Sequence, residues 1–375
     1  MRLKSMAMLS AAAICLAGQA QAASTSDALQ AMRELNIIVL GDMTANHSIE
    51  GKVHVGGNLD GGNGIFGTDN TSQGLTPSGR TTLTVGGDAT VGNLHIQAGS
   101  NGGDGTIGPA GATVGGSVST LNLNAQNATV QVGGTIANTN GSNGSTIQAG
   151  GASSGYLNAN GATVQTNLGS AFTQGLTDGI NAETAKLEID LKALSAAISV
   201  ITLDANPSSI IMGGQGPTFN AVDNGAGFAL FDINASLLSS NELNFNVFGS
   251  PMPILVNVRG TSATWNMNAV GGYNDDLNPW IIWNFVDAID IDINREMHGS
   301  ILAPLATVSN SGRIEGTLVA AAFEQGAQVH LGTFKGGDFL GAVPEPSTWA
   351  MMLLGFFGLG SVLRASRRKQ AGVLA

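Results

Sequence analysis

Apolar and polar residues alternate with a period of two over short stretches of this chain, and the stretches recur. Ile289, Ile291 and Ile293 alternate with Asp290, Asp292 and Asn294, the pattern of a strand buried on one face. Two blocks follow, Gly299-Ser-Ile-Leu-Ala303 and Gly316-Thr-Leu-Val-Ala320. Each is a glycine, a hydroxyl residue, two aliphatics and an alanine, and they start 17 residues apart. That recurrence predicts successive turns of one coil with matching side chains stacked. Ile281 to Phe334 thus reads as strand, turn, strand, turn, strand, with the rest of the chain feeding this stack at one end and anchoring it at the other.

The N-terminal half carries a related signal. Val-Gly-Gly begins at Val55, Val85, Val114 and Val132, and Ala149-Gly-Gly151 continues it, at intervals of 30, 29, 18 and 17. The longer intervals would hold one turn plus a loop, and Asp60 to Ser78 and Gly99 to Gly111 have loop composition. Such polar, Gly-rich sequence could also be disordered, since it buries little. The repeat favours a β-solenoid, in which each rung buries its apolar face on the next. Glycine after the inward valine suggests left-handed corners, with Asn58, Asp88 and Asn93 as turn side chains.

Thr177 to Leu203 breaks the pattern. Ile180, Leu187, Leu191, Leu194, Ile198 and Ile201 recur mostly at helical intervals, with alanines between them. This predicts one long amphipathic helix over about 177–203, starting at Gly179, with Glu188 and Lys192 as an exposed pair. Ile210–Met212, Phe228–Ile233, Leu243–Phe248 and Ile254–Val258 read as further strands.

Both ends read as processing signals. Arg2 and Lys4, the apolar run Met6 to Ala17, and Ala20-Gln-Ala22 form a secretory signal peptide over 1–22 with its cleavage site. Cys15, the only cysteine, lies inside it, so the mature chain has no disulfide. At the far end, Trp349 to Leu363 is apolar or small throughout and basic residues follow, as in a transmembrane helix with a basic inner flank. Pro344-Glu345-Pro346, this run, and Arg364, Arg367 and Arg368 together resemble the PEP-CTERM sorting signal. The resemblance implies an exosortase-type processing enzyme as partner in a Gram-negative bacterium. It also implies inner-membrane anchoring before processing and a place at the cell surface or outside the cell afterwards. Removing both ends leaves 9 basic against 25 acidic residues, a net charge of −16. That excludes nucleic acid and anionic head groups as partners, since both need a basic face.

Two further places, Asn36-Ile-Ile-Val-Leu-Gly-Asp42 with Ile49 to Asn58, and Trp283-Asn-Phe285 with Gly299 to Pro304, Gly316, Val329-His330 and Phe334, resemble the choice-of-anchor A domain. His330 is preceded by Val329 where that family often has glutamate. The resemblance implies a surface-displayed, mostly β domain and brings no catalytic residue. The glycine-rich, helix-flanked coil is also similar in architecture to bacterial ice-binding adhesin domains. The fold class expected is therefore mainly β, a right-handed β-solenoid over 23–341. One long α-helix flanks it, a signal helix precedes it, and a sorting segment over 343–370 with a transmembrane helix follows.

Candidate chemistry is sparse. His47, His54, His95, His298 and His330 show no metal-ligand spacing with one another. Asp290 and Asp292 share one strand face; they are placed to bind calcium, the one candidate cofactor, or to flank a sugar, or are simply the wet side of that strand. Gly102-Gly-Asp-Gly105 has calcium-loop composition but does not repeat. Gly213-Gly-Gln-Gly216 lacks the lysine of a phosphate loop and reads as a turn. Trp265, Trp280 and Trp283 either stack on sugars or fill the core. No metal, catalytic or ligand-binding residue is assigned. Two functions remain open: a non-enzymatic structural or adhesive protein meeting exopolysaccharide in a biofilm matrix, or a polysaccharide hydrolase or lyase built on a solenoid.

Overall fold

Short strands rich in β-branched residues alternate with tight corners, and each coil lies in parallel register on its neighbour. The computed structural model describes residues 23–68, 78–97, 109–203 and 205–340. The signal segment, Gly102–Gly105 and the sorting segment lie outside these residues. Thr129, Thr146 and Thr163 stack in register, as do Ile301 and Leu318, so each 17-residue interval is one turn. Val55, Val85 and Val114 stack in the same way despite their longer spacing. Asn63–Phe66 and Asn93–Ile96 are also registered strands, so the added residues come after each of them in sequence. The expected loop over Asp60 to Ser78 is wrong at its start, where two strands turn Leu59 and Phe66 inward, and residues 69–77 lie outside the described residues.

The Val-Gly-Gly glycines serve a different purpose from the left-handed corners expected of them. None has a positive φ. A Cβ on Gly86 would lie 2.1 Å from the Gly56 carbonyl oxygen, and one on Gly115 would lie 2.3 Å from that of Gly86. The coils approach too closely here for any side chain. The next residue supplies a ladder: Asp42 Oδ1 accepts from the Asn58 N–H (2.6 Å), Asn58 Oδ1 from that of Asp88 (2.9 Å), and Asp88 Oδ1 from that of Ser117 (2.7 Å). These bonds satisfy amides that the corner takes out of the sheets. Asn93 opens a strand instead of a turn.

Coil order differs from sequence order. In the largest sheet among the described residues, Ala229–Asn234 stands at one edge. Ile254–Arg259, Ile281–Phe285, Ser300–Asn310 and Leu318–Gln325 follow inward. Next comes Ile37–Val39, the first strand of the chain, and the N-terminal coils continue to Thr163–Gln165 at the other edge. The chain thus starts in the middle of the stack, winds to one end, crosses to the other and winds back. The stretch from Ile281 to Phe334 is the interior of the stack, where a single repeating coil would have put it at an end. Ile37 pairs with Leu318, Ile38 with Val319 and Val39 with Ala320, closing a seam between residues almost a chain apart.

The crossing is a helix. α1 spans Thr25–Glu34 and α2 spans Ser170–Ser199. α2 begins seven residues before the position its apolar stripe indicates, and Gly175 and Gly179 lie inside it facing open space. Its first turns are held by polar contacts: Thr173 Oγ1 donates to the Gly133 carbonyl. The twelve strands in line along the largest sheet, at roughly 4.8 Å spacing, cover about 53 Å, and the thirty residues of α2 reach about 45 Å, so α2 spans most of the stack. Helix-side residues of the strands (Ile38, Leu255, Ile282, Leu302, Val319) pack with Leu29 and Met32 of α1 and Leu191, Leu194 and Ile198 of α2. These strands are apolar on both sides, as Ile281–Phe285 shows, because one side meets the helices and the other the interior.

Strands after the helix stand where expected: Ser209–Met212, Ala229–Asn234, Glu242–Phe248 and Ile254–Arg259. Gly213–Gly216 is the turn of an antiparallel hairpin. Ile291 and Ile293 are buried, whereas Ile289 is 63% exposed because it sits at the corner before its strand starts at Asp290.

Two further polar contacts illustrate how α2 is pinned. Asn284 Nδ2 donates to the Ser195 carbonyl (3.0 Å) and to Asn257 Oδ1 (2.8 Å), and Ser195 Oγ donates to Asn284 Oδ1 (2.6 Å), all buried. Replacing Asn284 by alanine strands these partners. Asn284→Ala is expected to lower unfolding stability by about 1–3 kcal/mol in urea titration, and an unchanged midpoint would refute the pinning role. The second contact is His54 Nε2 beside Thr184 Oγ1 at 2.9 Å. Burial, reinforced by the Arg80 charge, pushes His54 down to about 4. The unfolded chain takes up this proton near pH 6.5, so the unfolded state binds more protons between the two values. Stability is then lost as pH falls from about 6.5 to about 4. His54→Gln should show a smaller loss over that window than the wild type; parallel losses would count against it.

Candidate functional site

Registered stacking brings polar residues from distant parts of the chain into rows. On the face that includes Asp290–Ile293, Thr264 pairs with Asp292, Asp292 with Ser309, Ser309 with Glu324, Glu324 with Thr44, and Thr44 with Asp60. Hydroxyl and carboxylate alternate at every step. Ser309 Oγ donates to Asp292 Oδ1 (2.6 Å) and Thr44 Oγ1 to Asp60 Oδ1 (2.8 Å). Carboxylates stacked directly would repel at about 4.8 Å; an intervening hydroxyl roughly doubles their separation and supplies a donor. Asp290 and Asp292 lie on this exposed face, as their alternation implies, and Asp292 belongs to the row.

A second row runs along another face. His298 pairs with Glu315 and Glu315 with His330, and His330 Nε2 lies 4.0 Å from Glu50 Oε1. His330 Nδ1 is 2.8 Å from Glu315 Oε1, and this carboxylate raises its affinity for a proton. Val329 precedes His330, and the carboxylates near its ring come from the adjacent coils, at Glu315 and Glu50. Beside this row Arg313 Nη2 meets Glu296 Oε2 at 2.8 Å.

At the His298 end lies a cavity of about 450 Å³ lined by Asn268, Gly271, Tyr273, Asp275, Glu296 and His298. Asp275, Glu296 and His298 each place one ligand-type atom within 4.8 Å of the other two. His298 is 4% exposed, and burial lowers its affinity for a proton. Its backbone is clamped: the Tyr273 hydroxyl accepts from the His298 N–H (2.9 Å) and donates to its carbonyl (2.8 Å), and Trp283 Nε1 donates to the same carbonyl (2.9 Å). Trp265 Nε1 donates to the Glu296 carbonyl at 3.2 Å. Trp265 and Trp283 are fully buried core residues, and Trp280 is half-buried. The core reading of the first two therefore holds, with an added task of fixing the backbone at Glu296 and His298. Glu296 stands just before the short strand Met297–His298, so the Glu296-x-His298 spacing alone gives little sign of a shared site. Asp275 comes from a preceding turn, and no sequence pattern links it to them.

The other histidines are scattered. His47 is exposed, His54 lies under α2, and His95 Nδ1 sits 3.4 Å from Asn124 Oδ1. Pro344, Glu345, Pro346, Arg364, Arg367 and Arg368, like Ala20 and Ala22, lie outside the described residues.

The profile of a family described as an ice-binding-like adhesive domain matches residues 28–119 and 101–331, nearly all of the coil. The chain belongs to this family. The choice-of-anchor A resemblance is compatible with this membership. The PEP-CTERM protein-sorting motif matches residues 342–369, so this adhesive-domain protein carries a signal for export and surface sorting by an exosortase. No curated protein and no solved structure matches the chain. No helix among the described residues is long and apolar enough to cross a membrane.

The His330–Glu315 pair gives a direct test. His330 should titrate above 6.5 by NMR in the wild type, and Glu315→Gln should lower that value. The pair stabilises the fold below pH 6.5 and ceases to do so as pH rises through the raised value. An unshifted His330 titration in Glu315→Gln would show that the pair does not form.

Proposed function

We propose that this is an exported, surface-displayed adhesive protein without enzymatic activity. Its Thr264–Asp292–Ser309–Glu324–Thr44–Asp60 row would meet exopolysaccharide of a biofilm matrix. The alternating row is the observation that supports this reading. It offers hydroxyls and carboxylates at a constant repeat along an exposed face, which suits many weak hydrogen bonds to a sugar polymer. The carboxylates of this row are exposed on a sheet face, away from the Asp275–His298 cavity, an arrangement that favours adhesion over hydrolysis or elimination. On this reading residues 1–22 are the signal peptide, cleaved after Ala22. The run Trp349–Leu363 holds the chain in the inner membrane until the exosortase acts. The coil is right-handed, the hand that parallel strand connections almost always take.

Fragment 24–341 should be retained on the host's exopolysaccharide, and Asp60→Asn, Asp292→Asn, Glu324→Gln combined should reduce retention at least tenfold. No new reducing ends or unsaturated sugars should form. Running the assay with and without calcium separates direct contact from bridging through Asp290 and Asp292. Absent retention, retention indifferent to the triple variant, or cleaved polymer would each overturn the proposal.

A further inference from the structure

The cavity at Asp275, Glu296 and His298 is distinct from the adhesive row, and its chemistry points to a cation. His298 Nδ1 lies 2.8 Å from Asn278 Oδ1, an acceptor, which places the ring proton on Nδ1 and leaves the lone pair on Nε2. That nitrogen makes no hydrogen bond to any described residue, and the nearest carboxylate atom, Glu296 Oε1, stands 3.6 Å away. Two lone pairs therefore face each other across a gap too long for a hydrogen bond. Around a tetrahedral zinc with bonds near 2.0–2.1 Å, neighbouring ligand atoms lie about 3.3 Å apart. The observed gap needs only a small closure. Asp275, on an exposed turn, brings a second carboxylate: its Oδ1 lies 3.4 Å from His298 Nδ1, and it offers a ligand atom within 4.8 Å of those of Glu296 and His298.

The surroundings orient the set. Arg313 occupies Glu296 Oε2 and so turns Oε1 toward His298, while Asn278 fixes the imidazole tautomer. Tyr273 and Trp283 hold the backbone at His298, and Trp265 holds it at Glu296. Outer contacts of this kind are what set ligand geometry in metal sites. The positive charge of Arg313 is outweighed by Asp275, Glu296 and the nearby Glu315. One neutral imidazole with two carboxylates selects a first-row divalent metal over calcium, which prefers an all-oxygen shell. The remaining positions open to the cavity, leaving room for water or a ligand group.

We propose that Asp275, Glu296 and His298 form a zinc-class divalent metal site in this cavity. Zinc chloride titrated calorimetrically into the chelator-treated, purified chain should reveal one site per chain. Asp275→Asn and Glu296→Gln should each weaken it at least tenfold, and His298→Gln should remove it. His298 is buried and its variant could misfold, so the two carboxylate variants carry the test; Asp275 is exposed and outside both cores. Cobalt chloride in place of zinc should give visible absorption bands that both variants diminish. Calcium chloride in millimolar excess should leave zinc binding unchanged. The proposal fails if zinc does not bind stoichiometrically or if calcium displaces it. It also fails if both carboxylate variants bind as the wild type does, or if His47→Ala abolishes binding and so marks a surface histidine as the site. None of these results depends on exopolysaccharide retention, so the two proposals stand or fall separately.

Discussion

Registered parallel stacking is the constraint on which the rest of the molecule depends. Every side chain lies over its counterpart in the next coil at about 4.8 Å. Inside, this lets Val55, Val85 and Val114 form a continuous apolar column. At the corners it forces glycine, since the Gly56 and Gly86 carbonyls occupy the space a Cβ would need. Outside, it forbids like charges from stacking, which is why Asp292, Glu324 and Asp60 are separated by Ser309 and Thr44. Core, corner and surface answer to a single spacing.

Much of this was legible in the sequence because registered stacking writes its period into it. The 17-residue blocks and the Val-Gly-Gly series mark the coils, and the strands from Ser209 to Arg259 follow from alternation. The mid-stack start was not legible. A periodic pattern carries the spacing between neighbours but not which neighbour a coil takes, and the pairing of Ile37 with Leu318 joins two equally good apolar strands. The early start of α2 was hidden for a related reason. Its first turns bind the coil through Thr173 and a glycine corner, with no apolar stripe to reveal them.

The site shows the same division. His298, Glu315 and His330 come together because registered strands carry them, yet they are scattered over 33 residues of ordinary-looking sequence. Asp275 reaches the cavity from a turn, where no periodicity applies. The tryptophans illustrate how one side chain can satisfy two demands: Trp265 and Trp283 fill the interior with their rings while their indole N–H groups hold the Glu296 and His298 carbonyls.

The start of the chain in mid-stack also decides how load enters the molecule. Arg33 of α1 holds the Gly336 carbonyl and Asp338, and Phe339 packs on the helix-side core, so the described chain ends beside the place where it began. A pull applied through the C-terminal side therefore reaches the waist of the coil, near the seam between Ile37–Val39 and Leu318–Gln325. There many parallel backbone bonds and α2 share it in shear, and neither terminal strand is peeled away first.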